Sequence, residues 1–201
     1  MARPSNTEER RRQIVQGLLR VMAERGYERA SIAEIAKAAE LSPGLVHYHF
    51  TQKQEVLLAL VEQLAERGRE RVKARLARTK GGPRARVEAF IEALLATGDE
   101  AEPEAVAAWV TISAEALRQP EVRAAYDKVV RADLAHLEEL VGEGLGRERA
   151  RAVAAGLFAA IQGYFVLSTA APGLIPPGSA AGTVKRMAAG LLDTDGPEAR
   201  R

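Results

Sequence analysis

Three histidines, a single tryptophan and no cysteine set the chemical repertoire of this chain of 201 residues. His47 and His49 suggest a metal pair at first sight. On a helix, positions two apart point to different sides, and no cysteine or carboxylate pair nearby completes a coordination shell. His136, between Ala135 and Leu137, has no serine or cysteine partner in a recognisable catalytic motif. The lack of cysteine excludes a thiol nucleophile, a disulfide framework and a thiolate metal site. No glycine-rich phosphate loop, HExxH or GxSxG motif occurs. The chain is therefore expected not to be an enzyme and to require neither metal nor cofactor. What remains is one dense stretch, Ser31 to Lys53, where hydroxyls, imidazoles, a phenol and a lysine cluster around short helical signals.

Such groups act only if helices hold them. The chain is rich in Ala, Leu, Glu and Arg, with 4% aromatics, and lacks β-branched runs, which predicts an all-α protein. Hydrophobic residues at 47% and charged residues at 28% allow a sizeable core and exclude disorder of the whole chain. The length fits one domain or two small ones sharing a core. No stretch of about eighteen uncharged apolar residues stands out, so no membrane span is expected. The Met1–Arg12 opening, with Glu8 and Glu9 and no apolar run, does not read as a secretory signal, so the expected compartment is the cytoplasm. The net charge of +2 conceals an asymmetry: Arg67–Arg86 holds nine basic residues against Glu70 alone, and the remainder of the chain after it is acidic. A nucleic-acid face and a solvated helix face both fit that basic run.

Caps and breakers divide the chain. Ser5 with Glu8 forms a capping box for a first helix over about residues 6–25, in which Ile14, Leu18, Val21 and Met22 share a face and which Gly26 ends. Ser31 with Glu34 caps a second helix, and Ser42 with Pro43 opens a short third. Thr51 with Gln54 reads as another capping box, for a long helix to about Arg78 buried along Leu57, Leu60, Val61, Leu64, Gly68, Val72 and Leu76. Beyond Gly81-Gly82-Pro83, helices follow from Pro83, from Pro103 and from Pro120, then over about 147–168 and 180–193. The helix from Pro103 carries Val106, Trp109, Val110, Ser113 and Leu117 on one face. Gly142, Gly144 and Gly146 close the one before residue 147, and residues 196–201 form a frayed tail.

The second and third helices, joined through Ala39-Glu40-Leu41, make a helix-turn-helix candidate, a unit that sets a short recognition helix against base edges. The string running from Ser31-Ile32-Ala33-Glu34-Ile35-Ala36 through Ser42-Pro43-Gly44-Leu45 and His47-Tyr48-His49-Phe50 to Lys53 resembles the DNA-binding domain of the TetR/AcrR family of transcriptional regulators. That resemblance is specific over about residues 8–60. It implies a helix-turn-helix domain over residues 1–52 and a helical ligand-binding and dimerisation domain over residues 53–195. It matches Ser31, His47, His49 and Lys53 to phosphate-contacting positions, turns Pro43, Gly44, Leu45 and Tyr48 to the groove, and starts the recognition helix at Ser42. Two physical arguments agree: Ser31 lies at a helix N-terminus, where N–H groups attract anions, and Lys53 sits in a first turn that disfavours a cation unless an anion is close. Two residues depart from the family. Glu40 stands where glycine is usual, at a cost of roughly 1 kcal/mol if its backbone is left-handed. His47 stands where tyrosine is favoured, and it gains a charge when protonated.

Ala108–Val130 and the apolar penultimate helix resemble more loosely the BetI-type branch of that family, which points to choline-like effectors. In that helix Ala152, Gly156, Ala159 or Ala160, and Gly163 form a stripe of small residues, while Val153, Leu157, Phe158, Ile161, Tyr164 and Phe165 cover the rest. A helix apolar all round is expected to be buried on all sides, with a second subunit over one face. Gly156, Ala159 and Gly163, with Val184, Met187 and Leu191 of the last helix, are the candidate dimer interface. Val184, Met187, Ala188 and Leu191 are expected as the buried stripe of that last helix. Phe90, Trp109, Tyr126, Phe158, Gln162 and Phe165 are the candidate ligand pocket, where aromatic faces in an acidic half favour a cationic or apolar compound. The expectation is a cytoplasmic, homodimeric regulator, a repressor, that binds a palindromic double-stranded DNA operator and is released by a small-molecule effector. A ligand-free DNA-binding regulator or architectural protein, and a helical enzyme, are the alternatives.

Overall fold

The structure is a computed structural model that describes residues 6–143 and 145–193. Among the described residues it contains helices and no strand: α1 (Asn6–Arg25), α2 (Ile32–Ala38), α3 (Pro43–His49), α4 (Lys53–Arg78), α5 (Pro83–Leu94), a 3-10 turn (Gly98–Glu100), α6 (Pro103–Glu115), α7 (Pro120–Gly142), α8 (Arg147–Ala170) and α9 (Ser179–Asp193). The protein is all-α, as its composition predicts. The Ser5 cap, Gly144 and the tail at 196–201 lie outside the described residues. By packing, the chain forms two compact units. One comprises the described residues up to Glu66 with Glu102–Lys128, the other Arg67–Ala101 with the described residues from Val129 onward.

In the first unit α1 buries Ile14, Leu18, Val21 and Met22, the face its periodicity predicts. Gly26 ends it at φ +77, donating its N–H to the Met22 carbonyl at 3.0 Å. α2 lies so close to α1 that a Cβ on Gly17 would stand 2.7 Å from the Ile35 carbonyl oxygen. α6 also packs on α1, but on an unexpected face: Ala105, Ala108, Ile112 and Glu115 are buried, while Leu117 beyond its end is 76% exposed. The expected face of Val106, Trp109 and Val110 is only half-buried, because the small Ala105 and Ala108 let α6 approach α1 more closely than large side chains would.

The second unit is built on Val87, Phe90 and Ile91 of α5, Leu137, Leu140 and Val141 of α7, Leu157 and Ile161 of α8, and Val184 and Ala188 of α9. Part of the basic run is tied down here. Arg75 bridges Glu92 at 3.2 Å and Glu100 at 2.8 Å, Arg84 pairs with Glu88 and Asp193, Arg86 pairs with Glu143, and Lys185 joins Glu92. The hydrogen bond from Lys185 and the charge of Arg75 hold the Glu92 carboxyl below the usual carboxylate range. Three of the nine basic residues of the run, Arg75, Arg84 and Arg86, thus make ion pairs between elements, and half-exposed pairs of this kind add little stability.

α8 departs from two expectations. Its Ala152–Ala170 stretch carries no charge, so by length and composition it is apolar enough to cross a membrane, with a mean hydropathy of 1.6. Its charges are confined to the first turns, where Arg149 donates to the Leu191 carbonyl at 3.2 Å. Nor is it buried all round: Ala150, Val153, Ala154, Leu157, Phe158, Ile161 and Phe165 face inward, while Ala155, Gly156, Ala159, Gly163, Val166 and Leu167 are exposed. α9 splits in the same way. Val184 and Ala188 are buried, and Met187 and Leu191 are 46% and 40% exposed, so the four do not form one buried stripe.

Candidate nucleic-acid interface

Local chemistry builds the α2–α3 corner. Ser31 Oγ accepts the Glu34 N–H at 3.2 Å, and Glu34 Oε2 accepts the Ser31 N–H at 3.0 Å, closing the capping box. Arg25 reaches Glu34 Oε1 at 2.8 Å. These contacts, led by the Ser31 N–H, hold the Glu34 carboxyl below its ordinary range. The N–H of Ser31 is therefore already taken by the chain's own Glu34 carboxylate.

α2 ends in a Schellman turn. Glu40 N–H bonds the Lys37 carbonyl at 3.2 Å and Leu41 N–H bonds the Ala36 carbonyl at 2.9 Å, with Glu40 at φ 58. The left-handed backbone considered for Glu40 is present, on a residue whose side chain is exposed. Ser42 then accepts the Leu45 N–H at 3.3 Å, and Pro43 fills the first turn of α3, where a missing N–H costs nothing.

Along α3, Val46 is fully buried and anchors the helix. Ser42, Pro43, Gly44 and His47 are exposed, Leu45 and His49 are half-buried, and Tyr48 is 80% exposed with its ring edge-on to His49 at 5.1 Å. A Cβ at Gly44 would meet nothing within 4 Å. Glycine inside a helix costs near 1 kcal/mol relative to alanine, and no contact within the protein requires it here.

Two cations flank α3, and both are engaged by groups of the protein itself. Lys53 Nζ donates to the carbonyls of Tyr27 at 2.9 Å and Glu28 at 3.4 Å and lies 4.2 Å from the centre of the Tyr27 ring. Arg11, which the sequence reading did not single out, donates to the His49 carbonyl at 2.7 Å and stacks 4.1 Å from the centre of the Phe50 ring. The cap of α4 also differs from the Thr51–Gln54 box: Glu55, at the proper distance from Gln52, accepts the Thr51 N–H at 2.8 Å. Gln54 instead donates to Gln119 at 3.0 Å and Glu121 at 3.2 Å, where Gln119 also bonds the Glu115 carboxylate. Arg118 pairs with Glu28 at 2.7 Å. Burial, reinforced by the charge of Glu115, pushes the Tyr27 hydroxyl up to about 12.

The residues singled out elsewhere in the chain belong to both units. Trp109 and Tyr126 form a tilted aromatic pair at 6.3 Å in the first unit. Phe90, Phe158 and Phe165 are buried in the second, Phe90 edge-on to His136 at 5.6 Å, and Gln162 is half-buried. A groove of about 450 Å³ in that unit is lined by Ala135, Glu138, Glu139, Gly142, Leu145, Arg147 and Ala150, none of them among those candidates. Gly156, Ala159, Gly163, Met187 and Leu191 are exposed, and Val184 is fully buried within its own chain.

Comparison with known proteins agrees with this geometry. Residues 14–60 match the family model described as bacterial regulatory proteins, tetR family, and residues 83–193 match that of the BetI-type transcriptional repressor, C-terminal. An HTH-type transcriptional regulator BetI of Rhizobium meliloti (strain 1021) is 36% identical over 114 residues, which cover 57% of this chain and 55% of that protein's length. The regulator of the same name from Agrobacterium fabrum (strain C58) is 31% identical over 161 residues, covering 78% and 75%. Among solved structures, a transcriptional regulator from Rhodococcus sp. Rha1 superposes with a TM-score of 0.78 at 25% identity, over 90% of this chain and 95% of the other. A regulator from Saccharomonospora viridis, solved in complex with choline, gives 0.77 at 21% identity over 94% and 97%.

Proposed function

This chain belongs to the tetR family of bacterial regulatory proteins, with a C-terminal half of BetI type, and from that membership we propose that it is a repressor that binds a palindromic operator as a homodimer and leaves it on binding a small molecule. It is a transcriptional regulator, and its relatives bear the names of regulators rather than enzymes. The observation that carries the DNA-reading proposal is α3: a helix anchored by buried Val46 that turns Pro43, Gly44 and Tyr48 outward and leaves Leu45 half-exposed, with a glycine that no internal contact demands. In this reading those four residues meet base edges and Ser42 starts the helix. Ser31, His47, His49 and the third donor of Lys53 lie towards phosphates. Residues 1–52 read DNA, and residues 53–195 carry the effector and the partner subunit.

The exposed small and apolar residues of α8 and α9, Gly156, Ala159, Gly163, Met187 and Leu191, support a two-fold four-helix interface with a second copy. The two recognition helices of such a dimer would sit about 34–36 Å apart, one turn of DNA, so a small shift on effector binding would lose contacts. The acidic balance of residues 87–201 favours a cationic or apolar effector over an anionic one. Selection of duplexes from a randomised library, followed by anisotropy with the selected duplex, tests the DNA reading. A palindromic consensus with half-sites one turn apart is expected, and recovery of no preferred sequence refutes it. Quaternary amines, apolar compounds and acyl compounds titrated into the preformed complex test the effector. Release by anionic compounds alone would overturn the charge argument.

A further inference from the structure

Arg11 lies on α1, outside the helix-turn-helix, yet its guanidinium makes two contacts at the far end of α3. Nη1 donates to the carbonyl of His49, the last residue of the helix, and the planar group covers the ring of Phe50, the residue that caps it. The carbonyls of a last helical turn have no partner within the helix, and a cation there also meets the negative end of its dipole. Phe50 is buried, so the ring under the guanidinium is fixed by the core. The Phe50 N–H closes the final bond of α3, to the Val46 carbonyl at 2.9 Å. α3 is only seven residues long, with Ser42 and Pro43 at one end and this contact at the other. A helix so short has little stiffness of its own against its supports.

We propose that Arg11 is a positioning residue for DNA recognition: its clamp on His49 and Phe50 sets the pitch of α3, so that it governs discrimination between sequences rather than attraction to the phosphate backbone. This rests on the reading of α3 as the recognition helix. The clamp needs the shape of arginine, because a planar fork both donates along its edge and stacks by its face. Lysine supplies a point charge only.

The experiment uses the full-length chain and its Arg11→Lys and Arg11→Met variants, with a duplex selected by the wild type from a randomised library and a scrambled duplex of equal length. Arg11→Met is expected to bind the selected duplex about tenfold more weakly while its affinity for the scrambled duplex stays within about twofold, with the salt slope of binding unchanged. Arg11→Lys is expected to resemble Arg11→Met. A direct phosphate contact would instead weaken both duplexes alike, lower the salt slope by about one unit and be rescued by lysine, and that result overturns the proposal. Loss of folded protein alone would reduce the active fraction on both duplexes and leave their affinity ratio fixed, which also overturns it. Hydrogen exchange in the DNA-free protein supplies a second readout. The Phe50 amide should exchange faster in both variants, and unchanged protection there removes the clamp even if DNA is read as proposed. If the wild type selects no sequence, the recognition reading fails, and the exchange result still decides whether the clamp exists.

Discussion

Gly17 and Gly68 provide one substitution with two opposite expected outcomes. Both lie inside helices, α1 and α4, where alanine is intrinsically favoured over glycine by about 1 kcal/mol. At Gly68 a Cβ meets nothing within 4 Å, so Gly68→Ala should realise most of that gain. At Gly17 the same atom would stand 2.7 Å from the Ile35 carbonyl oxygen, 3.0 Å from Ala39 Cβ and 3.1 Å from the Ala39 nitrogen. Two of those three neighbours are backbone atoms that no rotamer change removes. The Ile35 carbonyl also accepts the Ala39 N–H at 2.9 Å, the bond that closes α2 just before the Glu40 turn. Relief requires α1 and α2 to separate by several tenths of an ångström, and overpacking of this kind costs about 1–3 kcal/mol. Gly17→Ala should therefore destabilise by up to about 2 kcal/mol after the propensity gain is counted, against a stabilisation of up to about 1 kcal/mol at Gly68. In a chain of this length each kcal/mol moves the melting temperature by about 2–4 °C. Calorimetry at fixed protein concentration should thus find Gly17→Ala several degrees below the wild type and Gly68→Ala slightly above it. Urea midpoints should follow the same order. A Gly17→Ala variant that melts at or above the wild type would refute the close approach of α1 and α2.

Glu40→Gly removes a Cβ from a left-handed position and an exposed side chain, so it should raise stability by up to about 1 kcal/mol, read as a higher urea midpoint. An unchanged or lower midpoint would deny strain at that turn. Asp133 is pushed up to about 6 by burial, with the Arg69 charge opposing the shift. Its folded form therefore holds a proton more tightly than its unfolded form does, and ionising it in place is a penalty present above about pH 6 that fades as the pH falls towards 4. Asp133→Asn should stabilise by up to about 3 kcal/mol at pH 8 and by almost nothing at pH 4, measured as the difference from wild type in urea unfolding. A difference that is flat with pH would contradict the burial. Gly156→Arg adds bulk where a Cβ meets nothing within 4 Å, so the single chain should keep its helical content. Sedimentation should show dimer for the wild type and monomer or aggregate for the variant, and an unaltered dimer would put the interface elsewhere.

How much of this was legible in the sequence depends on how far along the chain each contact reaches. The Ser31–Glu34 box, the Ser42-Pro43 start and the Gly26 stop were legible because each is settled within one helical turn by a side chain and a backbone group. The turn at Glu40 was legible only conditionally: the glycine usual in the family pointed to a left-handed residue there, and the structure settles it at φ 58 with glutamate in place. The face of α6 was not, because large side chains attract attention while the contact with α1 selected Ala105 and Ala108 for their smallness. The Thr51 cap failed over one residue: two side chains could reach back, and the carboxylate of Glu55 made the bond while Gln54 went to partners on the α6–α7 connection.

The flanking cations show where such reading stops. Lys53 finds its acceptors 26 and 25 residues away, and Arg11 finds His49 at a separation of 38. In each case the acceptor is a main-chain carbonyl, a group every residue owns, so its identity leaves no mark on the sequence. A cation in the first turn of α4 is disfavoured by the helix dipole unless negative charge lies close. In the structure the Tyr27 and Glu28 carbonyls and the face of the Tyr27 ring supply negative charge density at that place. Internal groups thus meet at least part of the demand for negative charge near Lys53. A phosphate, if it binds there, joins a cation already held in position rather than one waiting in solvent. That arrangement reduces the entropy lost on contact.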